Sequence, residues 1–176
     1  IAQITGPGTL TVTTGPSAST PYDTWAASKG LTAGNKAKDL DPDNDGRNNL
    51  GEFAFNGDPL SGSDNGKVFA LTEDSDYVGD PSSAKELILT VAVRSGTPVF
   101  AGSPSPSANF VADGITYNIE GSLTLGSFLT PVNVVPTPVV TGLPPAGAGY
   151  EYRSFSLDGS NGLTGKGFLR AKVTSP

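Results

Sequence analysis

Residues 86–94 read ELILTVAVR, and Leu87, Leu89, Val91 and Val93 fall on every second position, which places them on one face of an extended strand. The same period of two recurs in ITYNIE at 115–120, where Ile115, Tyr117 and Ile119 align. It recurs again in GFLRAKV at 167–173, where Leu169, Ala171 and Val173 align and leave Phe168, Arg170 and Lys172 outside. One apolar and one polar face is the pattern of strands in an antiparallel sandwich. Outward from these, further candidate strands fall at 67–72, 128–135 and 150–157. The stretches 95–114 and 130–149 carry Pro98, Pro104, Pro106, Pro131, Pro136, Pro138, Pro144 and Pro145. Proline has no N–H to give a central ladder, so both stretches are expected to be edge strands or long surface connections. The expected fold is mainly β, an antiparallel β-sandwich of the immunoglobulin or fibronectin III-like kind, with a short helical insertion near the N-terminus.

Composition narrows the chemistry. Among 176 residues there is no His, Cys or Met, and Lys+Arg 11 against Asp+Glu 17 leaves a net charge of −6. Without His or Cys there is no imidazole base, no thiolate nucleophile and no His or Cys zinc site. The negative charge argues against nucleic acid as a partner. No run reaches the ~20 apolar residues that a helical membrane span needs. The chain begins at Ile1, and the expectation is a processed, exported protein, released from a cleaved signal peptide to the extracellular space or cell surface.

The segment preceding the strands holds the one dense motif. Residues 41–52, DPDNDGRNNLGE, match D-x-[DN]-x-[DN]-G-x5-E through Asp41, Asp43, Asp45, Gly46 and Glu52. Alternate carboxylates converge on one hard cation, Gly46 takes the sharp turn, and Arg47 would offer its carbonyl. Asn49 stands at the ninth position and Glu52 would close the shell through both oxygens. A flexible shell of oxygen atoms suits Ca2+ better than magnesium. Asp23 is expected to cap a short helix through Trp25, Ala26 and Ala27 that Gly30 stops, the only helix-like pattern noted. Gly30 and Gly34 break the approach to the loop, and Asn48 replaces the aliphatic residue that pairs sister loops, so the motif is read as a structural site rather than a sensor.

A single loop with a degenerate entering helix resembles dockerin-type and thrombospondin type 3 calcium repeats. Trp25, Gly30-Leu31, Asp41 to Glu52, Phe53-Ala54-Phe55 and Asp58-Pro59 also resemble a segment near the C-terminus of large secreted bacterial proteins, where a β-sandwich follows. The resemblance implies a calcium-stabilised extracellular module. It supports a division into residues 1–20 (strand and linker), 21–62 (helix and EF-hand-like loop) and 63–176 (sandwich).

Other groups are weaker. Glu73, Asp74, Asp76 and Asp80 cluster without a glycine at a turning position and are read as a solvated loop. Asp113 and Asp158 precede glycines and read as turn residues, while Glu86, Glu120 and Glu151 read as wet-face strand positions opposite Arg94, Arg153 or Lys172. No converging catalytic motif is present, and a non-enzymatic protein is expected. Tyr150, Tyr152 and Phe168 are the candidate aromatic platform for carbohydrate. Residues 9–13, TLTVT, form an alternating segment between Gly-Pro pairs. With Ile4, its Leu10 and Val12 could complete either the chain's own sandwich or that of a neighbouring copy. Exchange between copies is head-to-tail and gives a homopolymeric filament. The preferred expectation is such a self-associating surface subunit. The alternative is a carbohydrate- or protein-binding accessory module of a larger secreted enzyme.

Overall fold

The computed structural model describes residues 18–73, 85–157 and 166–176. Ile4, Leu10 and Val12, and also Asp74, Asp76, Asp80 and Asp158, lie outside the described residues. Two helices, α1 (Pro21–Ser28) and α2 (Asn49–Phe55), precede seven strands. These are β1 (Val68–Glu73), β2 (Glu86–Arg94), β3 (Ser107–Phe110), β4 (Ile115–Ser122), β5 (Val132–Val135), β6 (Tyr150–Leu157) and β7 (Phe168–Thr174). The protein is mainly β, with two antiparallel sheets ordered β1-β2-β6-β5 and β3-β4-β7. Both sheets and both helices contribute to one hydrophobic cluster, the layering of a β-sandwich with helices added.

Alternation places Ile115, Tyr117 and Ile119 of β4 in the core, with Leu169, Ala171 and Val173 of β7 half-buried beside them. On β2 the inward set is Leu89, Val91 and Val93, while Leu87 is only half-buried. The other face of β2 departs from expectation, because Ile88, Thr90 and Ala92 are buried too, as is Glu86, read above as a wet-face residue. The cause is the proline-rich chain after β5, which lies across the outer face of the four-stranded sheet. Thr90 Oγ1 donates to the Val139 carbonyl at 3.0 Å, and Val139 N–H donates to Ser154 Oγ at 2.9 Å. Tyr152 donates to Pro144 O and Asn56 to Ala146 O, pinning the same strap further along.

β3 lies in the proline-rich stretch 95–114 and is an edge strand, as expected of it. Three other local expectations change. β5 starts only after Pro131, and Phe128 instead lies under the Arg170 guanidinium, 3.7 Å from its ring centroid. The cap of α1 is Thr20 rather than Asp23, because Pro21 occupies the first turn. Asp23 sits at the third helical position and closes a reciprocal capping box. Finally α2 is a second helix, capped by Asn48 accepting from Gly51 N–H at 3.0 Å and ended by Asn56 in the left-handed region at φ 58°.

Seven residues with a glycine inside are too short to hold a helix by propensity, so α2 depends on packing. Phe53 meets Tyr22 and Trp25 at ring-centroid distances of 5.4 and 5.3 Å. Phe55 meets Tyr117, which also touches Phe100. The last helical carbonyls are taken by the sheets. Tyr150 donates to Phe53 O at 2.7 Å, and Tyr117 donates to Ala54 O at 3.1 Å while accepting from Arg94 N–H at 3.1 Å. Replacing Tyr117 by Phe leaves a buried carbonyl and an N–H without this partner and should cost ~1–3 kcal/mol. A lower urea midpoint at unchanged m would show it; an unchanged midpoint would sink the clamp.

Candidate metal centre

The acidic loop runs from Asp41 into the first turn of α2. Asn44 (φ 60°) and Gly46 (φ 94°) curl the chain back on itself, as the motif requires of its sixth position. Asp41 accepts from Gly46 N–H at 2.9 Å and from Asp45 N–H at 3.3 Å, and Asp45 accepts from Arg47 N–H at 2.8 Å. Loop N–H groups therefore aim the carboxylates inward. One oxygen from each of Asp41, Asp43 and Asp45 lies within 4.8 Å of the others, a group that could hold a metal ion.

Glu52 stands outside that trio but directly behind it. It is fully buried on α2, and neither of its oxygens has a hydrogen-bond partner. Asp43 Oδ2, Asp45 Oδ2 and Asn49 Oδ1 are buried and unpartnered as well. Burial, and then the negative charges of Asp43, Asp45, Asp58 and Asp41, push the Glu52 carboxyl up to about 8. Loss of hydration, followed by the neighbouring acids, also raises Asp43. Buried oxygens without donors are costly, and a divalent cation is the group that would satisfy several at once.

The remaining motif positions are occupied as follows. Asn49 commits both amide hydrogens to backbone, to Asn35 O and Ala37 O at 2.8 Å each, leaving Oδ1 as its free atom. The Arg47 side chain turns away from the acids, donating to Asn65 Oδ1 with its guanidinium 5.2 Å from the Phe55 ring centroid. Asn65 donates back to Asp45 O at 3.3 Å and so braces the loop from outside. The motif gives no sign of Asn65. Gly57, in the Asn-Gly-Asp-Pro run, carries more of a signal: a Cβ there would come within 2.9 Å of Gly66 N and 3.2 Å of Glu52 Cβ.

The aromatic platform is not assembled. Tyr150 is buried beneath α2, with Arg94 4.9 Å from its ring centroid. Tyr152 lies half-buried on the same sheet against Phe69, and Phe168 is on the other sheet. Carboxylates of the strands and of the β3–β4 turn have basic partners: Asp113 with Arg94 at 2.6 Å, Glu151 with Arg153 at 2.7 Å, and Glu120 with both Arg170 and Lys172. Compared with protein-family models, curated proteins and solved structures, the chain matches none.

A carboxyl raised by folding stabilises the folded state when protonated. That contribution is full below the unfolded value near 4.5 and is lost as pH rises through about 8. The metal-free protein should therefore melt at least ~3 °C lower at pH 8 than at pH 5, the shift that ~1 kcal/mol gives in a chain of this size. Melting in EGTA across that range is the measurement, and a rise with pH would contradict the assignment.

Proposed function

We propose that the protein is a non-enzymatic structural module of an extracellular bacterial assembly, made rigid by one Ca2+ and joined to neighbouring copies by N-terminal strand exchange. The observation that carries the cation reading is the Glu52 carboxylate, wholly buried, unpartnered and behind three converging aspartates. Asp41, Asp43, Asp45 and Glu52 would supply carboxylate oxygens, the Arg47 backbone its carbonyl, and Asn49 Oδ1 the ninth-position contact, direct or through water. An oxygen shell of this size and flexibility suits calcium.

The filament part rests on other support. The segment TLTVT at 9–13 alternates as a strand, and each sheet ends in an unpaired strand among the described residues. The sandwich is read as immunoglobulin or fibronectin III-like on its seven described strands in a four-plus-three division. Lack of His and Cys and the paired strand carboxylates support a role without turnover.

Calcium should raise the melting temperature and excess EGTA should lower it. Glu52→Gln discriminates charge from packing. In EGTA above pH 8, where the carboxyl is ionised, this variant should melt higher than the parent, because a buried charge is gone, and it should bind calcium at least ~tenfold more weakly, or ~1.4 kcal/mol. A melting temperature indifferent to calcium in the parent would overturn the reading.

A further inference from the structure

We infer that the free edge of β7, with the cleft beside it, is the acceptor for residues 9–13 of a neighbouring copy; this rests on the strand-exchange reading above. Four strands end a sheet among the described residues: β1, β5, β3 and β7. β5 has four residues between Pro131 and Pro136, and β3 has four residues just after Pro104 and Pro106. Both edges are short and blunted by proline, which is how sheets avoid adding strands. β7 has seven residues and no proline, and its inward-facing Leu169, Ala171 and Val173 are only half-buried although they pack on the core.

The layering shows where a further strand would go. β4 packs against β5 and β6, and β7 packs against β2. A step from β4 to β7 therefore moves from β6 to β2 on the facing sheet, and one more step lies over β1. Register with Leu89 and Leu87 turns Ala70 and Thr72 of β1 toward that place, and both are exposed. Among the described residues the three-stranded layer thus stops one strand short of the four-stranded one. A 540 Å³ cleft is lined by Ala171 and Val173 together with Phe55, Arg47 and Asp41. A segment with Leu10 and Val12 on one face and threonines on the other would cover Ala70 and Thr72 while pairing with β7.

Chain direction favours a neighbouring copy as donor. Thr20, at the start of α1, lines one cavity with Pro176, two residues beyond the end of β7. Thr13 stands seven positions before Thr20, a reach of ~24 Å. Antiparallel pairing within one chain would draw this linker nearly taut along the whole of β7, ~20 Å, whereas a slack linker leaves the segment parallel to it. Every described pairing is antiparallel, and parallel pairing is slightly weaker. A second copy is free to pair antiparallel.

The chain has no cysteine, so introduced thiols report cleanly. Full-length Thr11→Cys would be mixed with an isotope-labelled partner carrying Lys172→Cys (β7), Thr72→Cys (β1), Asn109→Cys (β3) or Asn133→Cys (β5), and treated with a short bis-maleimide. The expected result is a mixed-isotope cross-link between positions 11 and 172, several-fold above each of the other three. Assemblies that cross-link preferentially at another edge, or at none, overturn β7 as acceptor and leave the filament reading standing. A monomer in which 11 and 172 join only within one chain, read from the double variant, overturns the neighbouring copy as occupant and strand exchange with it.

Discussion

The structure depends on how α2 is held. The helix is too short to stand alone, and its position is fixed by two tyrosine hydroxyls that reach its carbonyls from opposite sheets. Tyr117 does most, since the hydroxyl that donates to Ala54 also accepts from the Arg94 N–H and so joins both layers to the helix. Once the helix is fixed there, Phe53 and Phe55 enter the core and Glu52 is carried under the acidic loop. The apolar contacts that build the core thus place a carboxylate where no protein donor meets it. Core packing and the candidate cation site meet on one seven-residue helix.

Among the described residues no basic side chain bonds to that carboxylate, although the Arg47 guanidinium attracts it from a distance. Lys29 pairs with Asp58 at 3.5 Å and Lys36 with Asp23 at 3.6 Å, both partly exposed pairs of the kind that contribute little. Arg47 is adjacent in sequence, yet its guanidinium is directed to Asn65 and Phe55. The negative potential around Glu52 is therefore left to an external ion or to protonation. That makes the net charge of −6 a poor guide to the surface, because several of the acids face inward toward one another.

How much of this was legible varies with the physics of each residue. The limits of β2 and β6 follow from alternation bounded by turns, and the acidic loop from its residue spacing, because both signals are local. Burial on the outer face of β2 was not legible, since it depends on a strap some fifty residues further along the chain. α2 was hidden because Gly51 lowers helix propensity and tertiary contacts override it. Tyr150 alternates like a wet-face residue, but it starts β6 where the sheet meets α2, and it was misread as an accessible platform. Asn65 braces the loop through contacts with residues eighteen and twenty positions earlier, which no motif spacing encodes.

The incomplete layer and the acidic loop are not independent features. The cleft beside β7 is lined by Phe55 of α2 and by Asp41 and Arg47 of the loop as well as by Ala171 and Val173. Asp41 also belongs to the trio of aspartates with oxygens within 4.8 Å of one another, whose mutual repulsion when all are ionised favours opening the loop. A cation held there would reverse the sign of that interaction and draw Asp41, which also lines the cleft, toward its neighbours in the loop. Metal and strand would then each favour the same arrangement of the loop. Linkage requires that two ligands sharing one favoured state strengthen each other's binding, without any contact between them.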